Sequence, residues 1–385
     1  MIIIRAIIMF LFVPLLYVFF TLKSFGKTKK YGGQLSPGEW YELYPEGLVN
    51  AKGKPTPFFA RKRGVSGGSD SGGGGEKLMV YFCGGGVSWS EQSAARPMSV
   101  LRMMLSITSY YTPVAFRFVR TLFNGILSGK PENPLRDWNM IFIPYVTGDF
   151  HLGNNMYKYR NGRKTLYHVG EKNTRIIMEA CKKLFPEADE LLICGESAGA
   201  FGAAGNAPLV AGYYPDAKVT VYSDASQLVA PIWRDAAREV WRVNAKMQEK
   251  IEETGDLYYD LVVYSAGELG SKAVFLRSNT CHDAVLIEFG STLQGGPHKA
   301  TPEAIQFYND NLAATEKRLA MSGLPYYAYI TAYNMNPKTG LTQHTMCHEE
   351  KAFHWKSDSG ISLSKWLADA INGKYQDIGR REIIE

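Results

Sequence analysis

Apolar positions fall into short unbroken runs separated by polar, glycine-rich connections. Residues 78–82, 140–145, 191–194, 219–222, 273–276 and 326–330 each form such a run of four to six residues. That is the length and continuity expected of strands buried on both faces. Between them lie stretches with helical spacing at 169–184, 198–210, 231–253 and 302–321, and a closing one at 363–371. Two earlier pieces, 40–43 and 58–63, also read as strands. Strands alternating with helices predict an α/β fold with a mainly parallel sheet and helices on both faces. Residues 66–75, Ser-Gly-Gly-Ser-Asp-Ser-Gly-Gly-Gly-Gly, are too rich in Gly and Ser for regular structure and read as a loop between two strands. No internal repeat is present. With 385 residues, 45% of them hydrophobic, residues 31–385 are sufficient for one domain around a large core.

The N-terminus has a different pattern. Residues 6–22 carry no charge and are apolar on every face of a helix, which suits a transmembrane anchor or a long signal peptide within residues 1–30. The run changes the meaning of the net charge of +6. Arg5, Lys23, Lys27, Lys29 and Lys30 precede the first acid, Glu39, and leave +1 for the rest of the chain. A nearly neutral body has no electrostatic footprint for nucleic acid, so no nucleic-acid partner is expected. Four lysines follow the run and one arginine precedes it. Taken alone, the positive-inside rule would keep the body in the cytoplasm, against an anchored or exported domain lying outside it. Five cysteines without a Cys-x-x-Cys motif make no disulfide scaffold. Cys83 and Cys194 fall in strand-like runs as core residues, whereas Cys281 and Cys347 are candidates for a bridge in an oxidising compartment.

The chemistry centres on Gly195-Glu196-Ser197-Ala198-Gly199. An apolar strand precedes this Gly-x-Ser-x-Gly and an Ala/Gly-rich helix follows it, which is the setting of a nucleophile elbow. The glycines let strand and helix approach each other, and the helix N-terminus faces the oxygen that becomes negative. A serine hydroxyl needs a base to take its proton and an acid to orient that base. In α/β-hydrolases these follow in the order Ser, Asp or Glu, His. His151 and His168 precede the serine, and His282 and His298 come too early for an acid near residue 283. His344, His348 and His354 remain. Asp283, in the loop after the run 273–276, is the preferred acid; Asp224 is the alternative and Glu288 a weaker one. The N–H of Ala198 and the Gly84-Gly85-Gly86 loop after the run 78–82 suit an oxyanion hole.

Several of these segments resemble the pectin acetylesterase family, which includes the Notum carboxylesterases. They are Tyr81-Phe-Cys-Gly-Gly-Gly-Val-Ser-Trp89, Ile143-Pro-Tyr-Val-Thr-Gly-Asp-Phe-His-Leu-Gly153, the elbow, Val221-Tyr-Ser-Asp-Ala225 and Gly340-Leu-Thr-Gln-His-Thr345. The similarity runs from about residue 40 to 372. It implies a triad of Ser197, Asp283 and His344, with Gly85, Gly86 and Ala198 as oxyanion donors. The chain departs from the family pattern at Val87-Ser88, where a cysteine is common, and at Gly199-Ala200, where the elbow usually ends in two glycines. The family's disulfides therefore cannot all form here.

Together these features predict a serine carboxylesterase that removes short acyl groups, acetyl first, from a small molecule or a polysaccharide. Neither a metal nor an organic cofactor is expected. Two alternatives are a deacylase of lipids or lipidated proteins on the same triad, with residues 231–253 as a candidate cap, and an inactive tethered binding protein. The oligomeric state is not legible.

Overall fold

A computed structural model describes residues 28–64, 75–99, 102, 107–114 and 124–384. The apolar run at 6–22 and nearly all of the Gly/Ser segment 66–75 lie outside the described residues. Among the described residues, no helix is long and apolar enough to cross a membrane.

In chain order the strands are β1 (Lys29–Lys30), β2 (Trp40–Leu43), β3 (Phe58–Arg61), β4 (Lys77–Phe82), β5 (Asn139–Ile143), β6 (Asn155–Tyr159), β7 (Lys164–His168), β8 (Glu190–Glu196), β9 (Lys218–Asp224), β10 (Ala273–Thr280) and β11 (Tyr326–Thr331). All but β6 and β7 form one sheet in the order β1-β2-β3-β5-β4-β8-β9-β10-β11. From β5 to β11 along that order every neighbouring pair is parallel. The pairs β2–β3 and β3–β5 are antiparallel. β4, β8 and β9 are buried along almost their whole length, as unbroken apolar runs require when helices cover both faces. The fold is therefore mixed α/β with a large, mostly parallel sheet, as the alternating pattern predicted.

Strand order places the chemistry. The chain leaves β4 toward β5 on one side and later returns with β8 on the other. A crevice opens at the carboxyl ends of parallel strands where their order reverses, and the Gly84–Gly86 loop and Ser197 leave β4 and β8 at that point.

Several elements differ from the sequence pattern. Residues 231–253 do not form one helix. A short turn at Trp233–Asp235 runs into a wide-turned segment, Ala236–Trp241, that stops at Arg242 with φ 52°. Asn244 then caps a new helix, Ala245–Thr254, by accepting from the Met247 N–H at 3.0 Å. Two buried tryptophans set the break: Trp233 Nε1 donates to the Leu228 carbonyl at 3.1 Å and Trp241 Nε1 to that of Ser88 at 2.7 Å. Both rings pack against Phe150 on the inner side of this segment, while Arg234, Asp235, Arg238 and Glu239 are exposed on the outer side. The antiparallel hairpin β6–β7 and the helices Leu257–Leu269 and Ala284–Leu293 are further elements that the apolar pattern did not reveal. All five cysteines are free, so the candidate bridge between Cys281 and Cys347 does not form. Cys347 is buried with its sulfur 3.7 Å from the Tyr81 hydroxyl, so it packs into the core instead of meeting Cys281.

Candidate active site

Ser197 sits between the end of β8 and the helix Ala198–Ala211 with φ 54° and ψ −124°, a conformation that a non-glycine residue holds only when its surroundings force it. Those surroundings are the strand and helix pressed together at two glycines. A Cβ on Gly199 would run into the Phe82 carbonyl, and one on Gly195 into the Gly199 carbonyl. The Ser197 N–H donates to the Asp224 carbonyl at 2.8 Å, which pins the turn to the neighbouring strand.

Asp283 follows β10 and caps the helix Ala284–Leu293. Its Oδ1 accepts from the N–H groups of Val285 and Leu286, both at 3.0 Å. Its Oδ2 is thereby turned to His344 Nδ1 at 2.7 Å, and the residue is fully buried. His344 lies in the loop after β11 and lines one cleft together with Ser197. Burial alone would lower the pKa of this imidazole. The carboxylate of Asp283, followed by those of Glu196 and Asp224, outweighs burial and holds it above the ordinary histidine value.

Asp224, the alternative acid, is used elsewhere. Its Oδ1 accepts from Ser278 Oγ at 2.6 Å, and its Oδ2 from the N–H groups of Met346 at 2.6 Å and Cys347 at 2.8 Å. It holds the loop that carries His344 from behind. Glu288 is half-buried on the helix that Asp283 caps. His354 meets Ser364 at 3.1 Å, while His348 lines the cleft. His348 Nδ1 is buried and has no hydrogen-bond partner among the described residues.

The Gly84–Gly86 loop borders the same cleft as Ser197. Gly86 has φ +78°, and a Cβ there would collide with the Tyr110 carbonyl. Two bonds close the loop onto the segment 110–112: Val87 N–H to Tyr110 O at 2.6 Å and Thr112 N–H to Gly85 O at 2.8 Å. Among the described residues, no carbonyl or side chain accepts from the N–H groups of Gly85, Gly86 or Ala198.

Ser197 borders two hollows. A cavity of about 50 Å³ is walled by Gly86, Val87, Phe150, Phe201, Leu228 and neighbouring apolar side chains. An open cleft of about 270 Å³ is lined by Met98, Tyr110, Phe289, His344 and His348, among others. Larger hollows of about 450 and 480 Å³ lie elsewhere and do not include Ser197.

Two acids bear on the site without having been singled out in the sequence. Asp149 is fully buried and accepts from Thr147 Oγ1 at 2.6 Å and from the N–H groups of His151 at 3.1 Å and Gly170 at 2.8 Å. Burial pushes its carboxyl up to about 6 against these donors. It supports a loop in which Phe150 and His151 both have positive φ. Phe150 walls the small cavity, and His151 Nε2 meets the Cys83 carbonyl, just before the triple glycine, at 3.0 Å. Glu196, the second residue of the elbow, is buried with both carboxylate oxygens on the Gly84 N–H, at 2.9 and 3.1 Å. A carboxylate amid an apolar strand end was the available signal for Glu196; nothing local distinguishes Asp149 from a turn aspartate.

A family model described as Pectinacetylesterase matches residues 66–250, a span that contains the glycine loop, the Asp149 segment and the elbow; Asp283 and His344 lie beyond it. The palmitoleoyl-protein carboxylesterase notum1 of Xenopus laevis is 29% identical over 163 residues, 40% of this chain. That alignment spans 31% of the relative's own length. The glycine loop and the elbow, which meet at one crevice on a mostly parallel sheet, both lie inside the matched span, and in this part the chain is similar to the pectin acetylesterase/Notum family.

Proposed function

We propose that the protein is a serine carboxylesterase that hydrolyses short acyl esters, acetyl first, through Ser197, His344 and Asp283. One observation carries the reading: a strained serine shares a cleft with an imidazole whose Nδ1 meets a buried, helix-capping carboxylate at 2.7 Å. His344 takes the Ser197 proton as Oγ attacks the ester carbonyl. The oxygen that becomes negative is met by the N–H groups of Gly85, Gly86 and Ala198. Collapse of this intermediate expels the alcohol, which leaves with the proton from His344. Water, deprotonated by His344, then hydrolyses the acyl-enzyme and frees the carboxylic acid and the serine. Asp283 keeps the imidazole in the orientation and tautomer that these steps require.

The small cavity supports a short acyl group. About 50 Å³ holds roughly four water-sized spheres, enough for a few carbon atoms. A long chain needs a pocket of roughly 300 Å³ or more. A deacylase of lipids or lipidated proteins is the second reading, since the Xenopus relative is by name a palmitoleoyl-protein carboxylesterase. The 270 Å³ cleft takes the alcohol portion of the ester, a small molecule or one unit of a polysaccharide. The apolar run at 6–22 tethers or exports the chain, with the catalytic residues outside the cytoplasm.

Purified protein is expected to release p-nitrophenol from p-nitrophenyl acetate, and Ser197→Ala to reduce the rate by a factor on the order of 10⁴–10⁶. Equal rates from both proteins would overturn the assignment. A fluorophosphonate probe that failed to label Ser197 would favour an inactive binding protein instead.

A further inference from the structure

We propose that Glu196 is a positioning residue for the oxyanion loop: its buried carboxylate grips the Gly84 N–H and so sets where the next two N–H groups point. This role rests on the esterase reading and belongs to a residue that the triad does not use.

Glu196 is 4% exposed at the end of β8, directly before the nucleophile. Both oxygens accept from one N–H, that of Gly84, across the junction between β4 and β8. Packing there is tight, since a Cβ on Gly84 would lie 2.7 Å from the Glu196 carbonyl oxygen and 2.8 Å from the Ser197 Cβ. Glu196 thus ties the loop to the same turn that presents Ser197 Oγ. The other end of the loop is held at the segment 110–112. Gly85 and Gly86 sit between these two anchors, with no side chain of their own to hold them.

The placement is costly. An ionised carboxylate in an apolar strand end forfeits its hydration and must recover it from local donors. Burial raises the Glu196 carboxyl above its ordinary value, opposed first by His348 and then by the Gly84 N–H. Without the carboxylate, the Gly84 N–H loses its acceptor, and the near end of the loop is held only through Cys83, whose carbonyl meets His151 and whose sulfur meets the Gly84 carbonyl. An oxyanion hole works because its donors are aimed before charge develops, so a loosened loop weakens the transition state more than the bound substrate.

The test compares Glu196→Ala and Glu196→Gln in the full chain with p-nitrophenyl acetate and with a trifluoromethyl ketone that forms a tetrahedral adduct on serine. Glu196→Ala is expected to lower kcat about 10- to 100-fold with KM within about threefold, and to weaken the ketone by the same factor as kcat. Glu196→Gln keeps an oxygen for the Gly84 N–H and is expected to restore ketone affinity to within about threefold of wild type. A folded Glu196→Ala with wild-type kcat and ketone affinity overturns the proposal. So does a Glu196→Gln as impaired as Glu196→Ala. Should the alanine variant not fold, Glu196→Asp replaces it. One methylene shorter, it is expected to lose ketone affinity as the alanine would, and unchanged affinity is equally fatal. A wild-type protein inactive on the acetate and unlabelled by fluorophosphonate would instead bring down the esterase reading itself.

Discussion

Two aspartates lie near His344, and they do different work. Asp283 meets the imidazole through one oxygen while a helix N-terminus holds the other. Asp224 commits both oxygens to Ser278 and the backbone of residues 346 and 347. Asp283→Asn is therefore expected to cut kcat about 10³- to 10⁴-fold with little loss of stability. Asp224→Asn is expected to lower the melting temperature by several degrees, since hydrogen bonds to a charged group are worth about 1.5–3 kcal/mol each, and to cost less activity. Thermal denaturation and steady-state rates on both variants check the contrast. The sign of the His344 shift makes a second prediction. As the proposed base, His344 must be neutral to take the serine proton, and its pKa is raised above 6.5. The acid limb of kcat/KM is therefore expected to fall above pH 6.5, with activity rising as the imidazole loses its proton. Replacing Asp283, the largest raising influence, shifts that limb to lower pH. A limb below about pH 6 in the wild-type protein would contradict this.

At the scale of elements, the proposed site lies where strands end. β4 leads into Gly84–Gly86, β8 into Ser197, β10 into Asp283 and β11 into the loop of His344, all at the carboxyl edge of the sheet. The Gly-Gly-Gly sequence was legible as an oxyanion candidate, but its shape is set by partners far along the chain. Tyr110 and Thr112 hold one end through Val87 and Gly85, and Glu196, 112 positions beyond Gly84, holds the other. Gly86→Ala tests the element. Its φ of +78° costs a non-glycine residue about 1–2 kcal/mol, and the added Cβ meets the Tyr110 carbonyl. The variant is expected to lose about 10²-fold in kcat while keeping its circular dichroism spectrum. The stretch 231–253 marks the opposite limit of pattern reading. Its apolar spacing is helical, yet Trp233, which donates to the nearby Leu228 carbonyl, and Trp241, which donates to the distant Ser88 carbonyl, hold a segment that breaks at Arg242.

Across the whole molecule, the strand order brings a small apolar cavity and an open cleft together at Ser197. Phe150, Phe201 and Leu228 reach the cavity from three separate segments, and the Trp233 and Trp241 rings back Phe150. A series of p-nitrophenyl esters is expected to peak at about two to four acyl carbons and to fall steeply by about eight, because the walls leave no room for more. A maximum at about eight or more carbons would favour the lipid or lipoprotein reading over short-chain deacylation.

The α/β class, the elbow and the order of candidate partners were legible in the chain because each is written locally, in strand-length apolar runs, a five-residue turn and a fixed succession of residue types. Which aspartate meets His344 was not, because Asp224 and Asp283 both follow from strand ends and differ only in what folds against them. The same holds for the free state of Cys281 and Cys347, for the break within 231–253, and for the buried contacts of Glu196 and Asp149. Each depends on groups distant in sequence that only the packed sheet brings within hydrogen-bonding or van der Waals reach.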